Sequence, residues 1–237
     1  MPSRGEPNPG IAQKLAAELV GTFFATLVPT VVDIVYYTGG HVDDVSRWLA
    51  RGFVTIAMIY AFSEISGAHI NPAISLGFAV RRVMPVRLML SYWAAQFAGG
   101  FAAAFLAFAV WGPLVALGAS HPGVKYTHLE AVLTEIVLTF LVMIVILGCA
   151  EQEGVVGKQA ALAVGLTVAC CGFFAGPISG ASMNPGRSIP PQILGQLYRI
   201  VWIYAAGPCI GAALAAAAAL AIFGEPREGE RKAAHGK

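Results

Sequence analysis

The octet Ser66-Gly67-Ala68-His69-Ile70-Asn71-Pro72-Ala73 puts a helix start in the middle of apolar sequence, and few folds can accommodate one there. An apolar run leads into it, and a second, Ile74 to Val80, follows. Asn is a preferred N-cap, and Pro is favoured at the first helical position, where its missing N–H would be unpaired anyway. Asn71-Pro72 therefore predicts a short helix whose free amides and positive dipole end face whatever lies above it. The feature recurs as Ser179-Gly180-Ala181-Ser182-Met183-Asn184-Pro185-Gly186. One such site in each half of a strongly apolar chain points to a membrane pore.

Only 12% of the 237 residues are charged, against about a quarter in soluble domains. Gln159 to Gly186 and Ile200 to Gly224 carry no Asp, Glu, Lys or Arg, and each exceeds the ~20 residues that a spanning helix needs. The polar, Pro-rich start and the long first apolar run do not read as a cleavable signal peptide. A net charge of +2 gives no reason to expect nucleic acid. Cys149, Cys170, Cys171 and Cys209 lie inside apolar runs without metal-ligand spacing, so they read as packing residues, and neither metal nor cofactor is expected.

Long helices are expected at about 11–36, 48–65 and 88–110, with the first Asn-Pro helix before the third. The pattern repeats at about 129–150, 159–175 and 198–223, with Pro190-Pro191 limiting the second short helix. Glu18, Val20, Thr22 and Phe23 match Glu135, Val137, Thr139 and Phe140, and Tyr204-Ala205-Ala206 echoes Trp93-Ala94-Ala95. The expected division is a tail at 1–10, a channel domain at 11–224 built from repeats 11–112 and 127–224, and a charged tail at 225–237. Three spans per half is an odd number, so the second half must enter the membrane from the opposite side, as in many transport folds. Neither short segment can cross ~30 Å of hydrocarbon, so both should be re-entrant and shielded by protein or lining a watery cavity. The fold class is thus an all-α membrane protein with six transmembrane helices plus two re-entrant half-helices in an inverted repeat. Small residues at Gly99-Gly100 and at Gly207 and Gly211 allow close helix packing.

Lys and Arg residues fall unequally on the two sides. Ten (Arg4, Lys14, Arg81, Arg82, Arg87, Lys158, Arg227, Arg231, Lys232 and Lys237) share the side of the termini; five (Arg47, Arg51, Lys125, Arg187 and Arg199) take the other. By the positive-inside rule both termini are expected in the cytoplasm.

The paired Ser-Gly-Ala-x-x-Asn-Pro motifs, an Arg after the second, and the repeated Glu-x-x-x-Thr-Phe resemble the aquaporin, or major intrinsic protein, family over nearly the whole chain. Met58-Ile59-Tyr60-Ala61 and the run from Ala175 to Pro185 are most similar to the nodulin-like branch and its bacterial relatives. The resemblance implies a channel for water, glycerol-like polyols and uncharged metalloid acids, a homotetramer in lipid, and a bacterial inner (plasma) membrane location. It also implies a pore motif of Asn71, Pro72, Ala73, Asn184, Pro185 and Gly186, the two asparagine amides meeting at the midplane. Glu18 and Glu135 would hold the re-entrant loops. Arg51, Gly172, Ala181 and Arg187 take the selectivity-filter positions by the family's spacing, Arg187 acting as donor to the solute and barrier to cations.

Gly172 and Ala181 remove bulk and argue for a pore wider than one for water alone. Arg51 argues the other way, since the family places an aromatic or small residue there. It reads equally as a pore-mouth residue or as a surface Arg paired with Asp43 or Asp44. Gly186 stands where the motif usually has Ala. His69 is expected at the cytoplasmic vestibule, Glu64 at that vestibule or solvated, and His121 in a plain loop. A passive pore predicts flux linear in the gradient and insensitive to pH. The alternatives are a proton-coupled carrier using Glu18, Glu135 and Glu64, and a structural or gated membrane protein closed by Arg51. No Ser/His/Asp set, metal cluster or phosphate loop suggests an enzyme.

Overall fold

The computed structural model describes residues 9–151 and 159–236. Residues 1–8 of the expected tail at 1–10, Lys158 and Lys237 lie outside the described residues. The first repeat holds α1 (Ile11–Tyr37), α2 (Asp44–Ser66), the half-helix α3 (Pro72–Val80) and α4 (Val86–Trp111). The second holds α5 (His128–Glu151), α6 (Ala160–Ser179), the half-helix α7 (Pro185–Leu194) and, after a 3-10 turn at Tyr198–Ile200, α8 (Val201–Phe223). Six of these are long and apolar enough to cross a membrane, and outward-facing Phe105, Phe108, Phe173, Phe174 and Ile222 are exposed as lipid would require.

Local chemistry explains where the elements begin and end. The α2 helix starts four residues before the expected Trp48, because the Asp43 carboxylate accepts the Ser46 N–H at 2.6 Å and caps it. The α6 helix runs four residues beyond the expected Ala175, through Pro177. Both α2 and α6 stop at a glycine in the left-handed region, Gly67 at φ 88° and Gly180 at φ 80°, the conformation that favours glycine after a helix. The expected charged tail is partly a helix, α9 (Glu228–His235).

Within each repeat the first helix packs on the third, α1 on α4 and α5 on α8. The repeats meet where α2 crosses α6, and each half-helix lies against the third helix of the other repeat, α3 on α8 and α7 on α4. Small residues make these crossings possible. A β-carbon on Gly52 would stand 2.6 Å from the Gly165 carbonyl, and one on Gly207 would stand 2.7 Å from the Glu135 β-carbon.

Contacts at the helix ends fix the sidedness. Near the start of α1, Lys14 donates to the His235 carbonyl of α9, and the Ala233 carbonyl stands directly over Gly67 at the end of α2. At the other face, Asp33 near the end of α1 meets Arg47 near the start of α2, and Gly180 at the end of α6 lies against His121. The first re-entrant loop therefore enters from the face of α9, the second from the opposite face.

Candidate functional site

Each re-entrant loop is held in a backbone shape that its residues would not choose. Ala68 and Ile70 have φ of 49° and 44°, and the equivalent Ala181 and Met183 have 42° and 55°. Positive φ at a residue with a β-carbon costs ~1–3 kcal/mol and persists only where surrounding bonds impose it. Here the imposing groups are two fully buried carboxylates. Glu18 Oε1 accepts from Ser66 Oγ at 2.7 Å and His69 N at 2.9 Å; Oε2 accepts from Ile70 N and Gln96 Nε2, both at 2.7 Å. Glu135 Oε1 accepts from Ser179 Oγ at 2.7 Å and Ser182 N at 2.9 Å, and Oε2 from Met183 N at 2.7 Å. A tyrosine closes each loop, Tyr92 donating to the Ser66 carbonyl at 2.8 Å and Tyr204 to the Ser179 carbonyl at 2.6 Å. The true echo between α4 and α8 is therefore Tyr92 with Tyr204, one residue away from the Trp93 pairing that the sequence suggested. Trp93 instead donates its indole N–H to the Pro72 carbonyl at 2.8 Å.

The loops end at the two asparagines, which N-cap α3 and α7. The Asn71 side-chain oxygen accepts from Ala73 N at 2.9 Å, and that of Asn184 from Arg187 N at 3.2 Å. Their amide groups reach across the junction. Asn71 Nδ2 donates to the Met183 carbonyl at 2.7 Å, and Asn184 Nδ2 donates to the Ile70 carbonyl at 2.9 Å. Each asparagine thus binds the residue preceding its counterpart, and the two tips are stitched together. Pro72, Ala73, Pro185 and Gly186 form the first turns behind them. An alanine β-carbon at 186 would press on Pro72 Cδ at 3.1 Å, which gives the glycine there a packing reason.

A cavity of about 990 Å³ opens from these tips toward the face of α9, touching Asn71, Asn184, Ala181, Arg51 and Arg187 at one end. Its other end is lined by exposed Glu64 and by Gly229, Lys232 and Ala233, so α9 stands across that mouth. Two buried pieces of chemistry hold α9 in place. Glu230 and Arg81 form a fully buried pair with both carboxylate oxygens engaged, at 2.7 and 2.8 Å, and His235 Nε2 bonds the Val83 carbonyl at 2.9 Å. Burial, with Lys14 and Arg231 nearby, lowers the His235 pKa below its ordinary value. His69 lines the cavity, its Nδ1 3.0 Å from Ser75 Oγ and its ring stacked on Phe78. His121 is exposed in its loop.

A second cavity of about 240 Å³ lies on the opposite face and includes Asp33, Arg47, Trp48, Ser120 and Gly180. Arg51 lines both cavities and is part of the wall between them. It is 5% exposed, ion-paired to Asp33, and donates to the Gly180 carbonyl at 2.7 Å. The surface reading of Arg51 therefore fails, as does its pairing with Asp43 or Asp44. Asp43 is the α2 cap, and Asp44 pairs with Arg47 at 3.0 Å. Arg187 joins the cluster through Ser120 Oγ and through Asp33 Oδ2 at 3.4 Å. Arg51, Ala181 and Arg187 thus come together. Gly172 does not reach either cavity lining: the Trp48 ring fills the space beside it, 2.5–2.9 Å from where its β-carbon would be. The room expected from Gly172 is taken by an aromatic side chain of α2. Asp33, Arg47, Trp48 and Ser120 belong to none of the motifs. Asp33 alone had a legible signal, a second carboxylate besides Glu18 within an apolar spanning helix. Among the described residues no group of three or more His, Cys, Asp or Glu could hold a metal.

Comparison with known proteins agrees with this fold. The family model described as Major intrinsic protein matches residues 7–219. The chain is 39% identical over 204 residues to Aquaporin NIP2-2 of Zea mays, covering 86% of this chain and 69% of that one. It is 40% identical to Aquaporin NIP1-3 of Oryza sativa subsp. japonica, covering 85% and 70%. Among solved structures, the X-ray structure of the aquaglyceroporin from Plasmodium falciparum matches with a TM-score of 0.81 at 19% identity, covering 90% of this chain and 97% of that one. That likeness is one of fold.

Proposed function

The chain belongs to the major intrinsic protein family, and from that premise we propose that it is a passive transmembrane channel for water and small uncharged solutes. The observation that carries this reading is the reciprocal bonding of the two asparagine tips. Each amide has two N–H groups, and one of each is committed to the carbonyl across the junction. The other remains for a passing oxygen. An oxygen that accepts from both amides turns its own hydrogens away from the neighbouring waters, and the two positive helix ends repel protons and cations.

Family membership points to a channel rather than an enzyme, and the engagement of Glu18 and Glu135 by loop donors leaves them no free oxygen with which to run a proton relay. Arg187 is assigned the role of solute donor and cation barrier, with Arg51 as its neighbour at the constriction and Ala181 leaving room beside them. The nodulin-like relatives and the roomy cavity support glycerol-like polyols and uncharged metalloid acids as solutes. The two-to-one bias of Lys and Arg supports cytoplasmic termini in a plasma membrane, and the family supports a homotetramer in lipid. Stopped-flow shrinkage of vesicles under sucrose and glycerol gradients tests the reading. Water and glycerol fluxes linear in the gradient are expected; saturating uptake driven by a proton gradient would overturn it in favour of a carrier.

A further inference from the structure

At the constriction of the proposed path the buried charge is mostly positive, three arginines against the one carboxylate of Asp33. The amino ends of two half-helices meet at the centre of that path, and Arg47, Arg51 and Arg187 converge beyond them with 6%, 5% and 3% exposure. Such a lining repels cations and attracts anions, most strongly where water is scarce. Three guanidiniums presenting N–H groups toward one point also have the chemistry of an anion site. That point is filled by Asp33. Its Oδ1 accepts from Arg47 Nε at 3.0 Å, and its Oδ2 is shared by Arg51 Nη2 and Arg187 Nη2, the latter at 3.4 Å. The other bonds of these guanidiniums go to neutral or peripheral groups: Arg51 Nη1 to the Gly180 carbonyl, Arg187 Nη1 to Ser120, and Arg47 to Tyr37 and Asp44, whose side chain is 67% exposed, while the buried Arg51 Nε has no partner among the described residues. Glu18 and Glu135 are committed to the loops, and although Glu135 lies within electrostatic reach of Arg187, the ion pairs of the three arginines go to Asp33 and Asp44.

Resting on the channel reading above, we infer that Asp33 is a specificity-determining residue: a tethered carboxylate that occupies the anion site formed by Arg47, Arg51 and Arg187 and so keeps small anions out of the pore. While it is there, an anion must displace it from three guanidiniums at once. With the carboxylate removed, the same three arginines receive a small monovalent anion, and formate, which carries the missing group, fits best. The side chain's role is separable from packing because a purely structural Asp33 would alter stability or total flux without changing which charge is admitted.

The experiment compares wild type with Asp33→Ala, Asp33→Glu and Asp33→Ala/Arg51→Gln in proteoliposomes, measuring osmotic water flux together with chloride and formate conductance and its reversal potential. The ratio of anion conductance to water flux is expected to rise at least tenfold in Asp33→Ala, with a reversal potential set by the anion. It should return to the wild-type ratio in Asp33→Glu and fall again in the double variant. Where the alanine variant does not assemble, Asp33→Asn, which keeps the side chain's shape, is read the same way. Water-conducting Asp33 variants that stay tight to chloride and formate would overturn the inference and leave the channel reading standing. Wild-type vesicles that pass neither water nor glycerol would overturn both.

Discussion

The two re-entrant loops are nearly the same object built twice, whereas the two mouths they lead to are built differently. Ser66 and Ser179, Tyr92 and Tyr204, and the carboxylates Glu18 and Glu135 make corresponding bonds in the two halves. The strained residues also correspond, Ala68 with Ala181 and Ile70 with Met183. Around this duplicated centre the halves diverge. Gln96, four residues after Tyr92, gives Glu18 a fourth donor, while Pro208, four residues after Tyr204, gives Glu135 none. One mouth is crossed by α9, and the other is drawn together by Asp33 and its arginines. The centre must satisfy one backbone geometry; the mouths are free to set what passes and when.

The harshest way to break the symmetry is to remove a loop carboxylate. Glu18→Ala or Glu135→Ala orphans buried backbone donors at ~1–3 kcal/mol each, so vesicle flux and thermal stability should both collapse. The milder Glu18→Gln should lower the melting temperature more than Glu135→Gln, because four donors face Glu18 and three face Glu135. Equal losses would deny that difference. Next come the tips: Asn71→Ala and Asn184→Ala each delete one of the paired cross-bonds, and a change of ~1.4 kcal/mol corresponds to about tenfold in rate. Similar losses of water flux are expected from the two variants. A loss confined to one would show that a single tip governs passage.

The mouths sharpen the contrast. Arg51→Gly should raise glycerol flux severalfold, and water flux by less, because it removes part of the wall between the two cavities; unchanged glycerol flux would place the constriction elsewhere. At the other mouth, deleting residues 228–237 should raise flux modestly. His235 should make that mouth weakly sensitive to pH. Its folded-state pKa is depressed, so its contribution to docking of α9 is full above the unfolded value of about 6.5 and is lost as pH falls through the folded value. Flux should therefore increase on acidification in wild type and not in the 228–237 deletion, a departure from the pH-insensitive pore that the sequence alone suggests. The smallest effect is expected for Gly186→Ala. Gain in helix propensity of ~1 kcal/mol opposes the squeeze on Pro72, so the melting temperature should barely move.

The centre was legible in the sequence because its chemistry is local. Asn-Pro announces a capped helix start, a lone Glu in an apolar helix announces a buried partner, and repetition of both announces the inverted pair. The mouths were less legible because their chemistry is assembled from distant segments. Nothing near Arg51 in sequence says that Asp33, from the preceding helix, will claim it, and Asp43 and Asp44 are the nearer carboxylates. Gly172 reads as empty space until α2 brings Trp48 beside it. The polar sequence at 225–237 reads as a tail because its two anchors, Arg81 and Val83, lie far back in the chain. Helix ends moved by a few residues for the usual reason that a cap, here Asp43, outweighs apolar periodicity.

The claim on which the rest depends is that two asparagine-capped half-spans enter from opposite faces and meet tip to tip. Ala68 of the first loop lines the cavity that opens toward α9, and Gly180 of the second loop lines the cavity on the opposite face, so a cysteine at each, in a background with the four native cysteines replaced by alanine, reports the side of access to each. A membrane-impermeant thiol reagent should block water flux through Ala68→Cys only from the face that carries the termini, and through Gly180→Cys only from the other face. Block of both variants from the same face would contradict the inverted arrangement and the permeation path drawn from it.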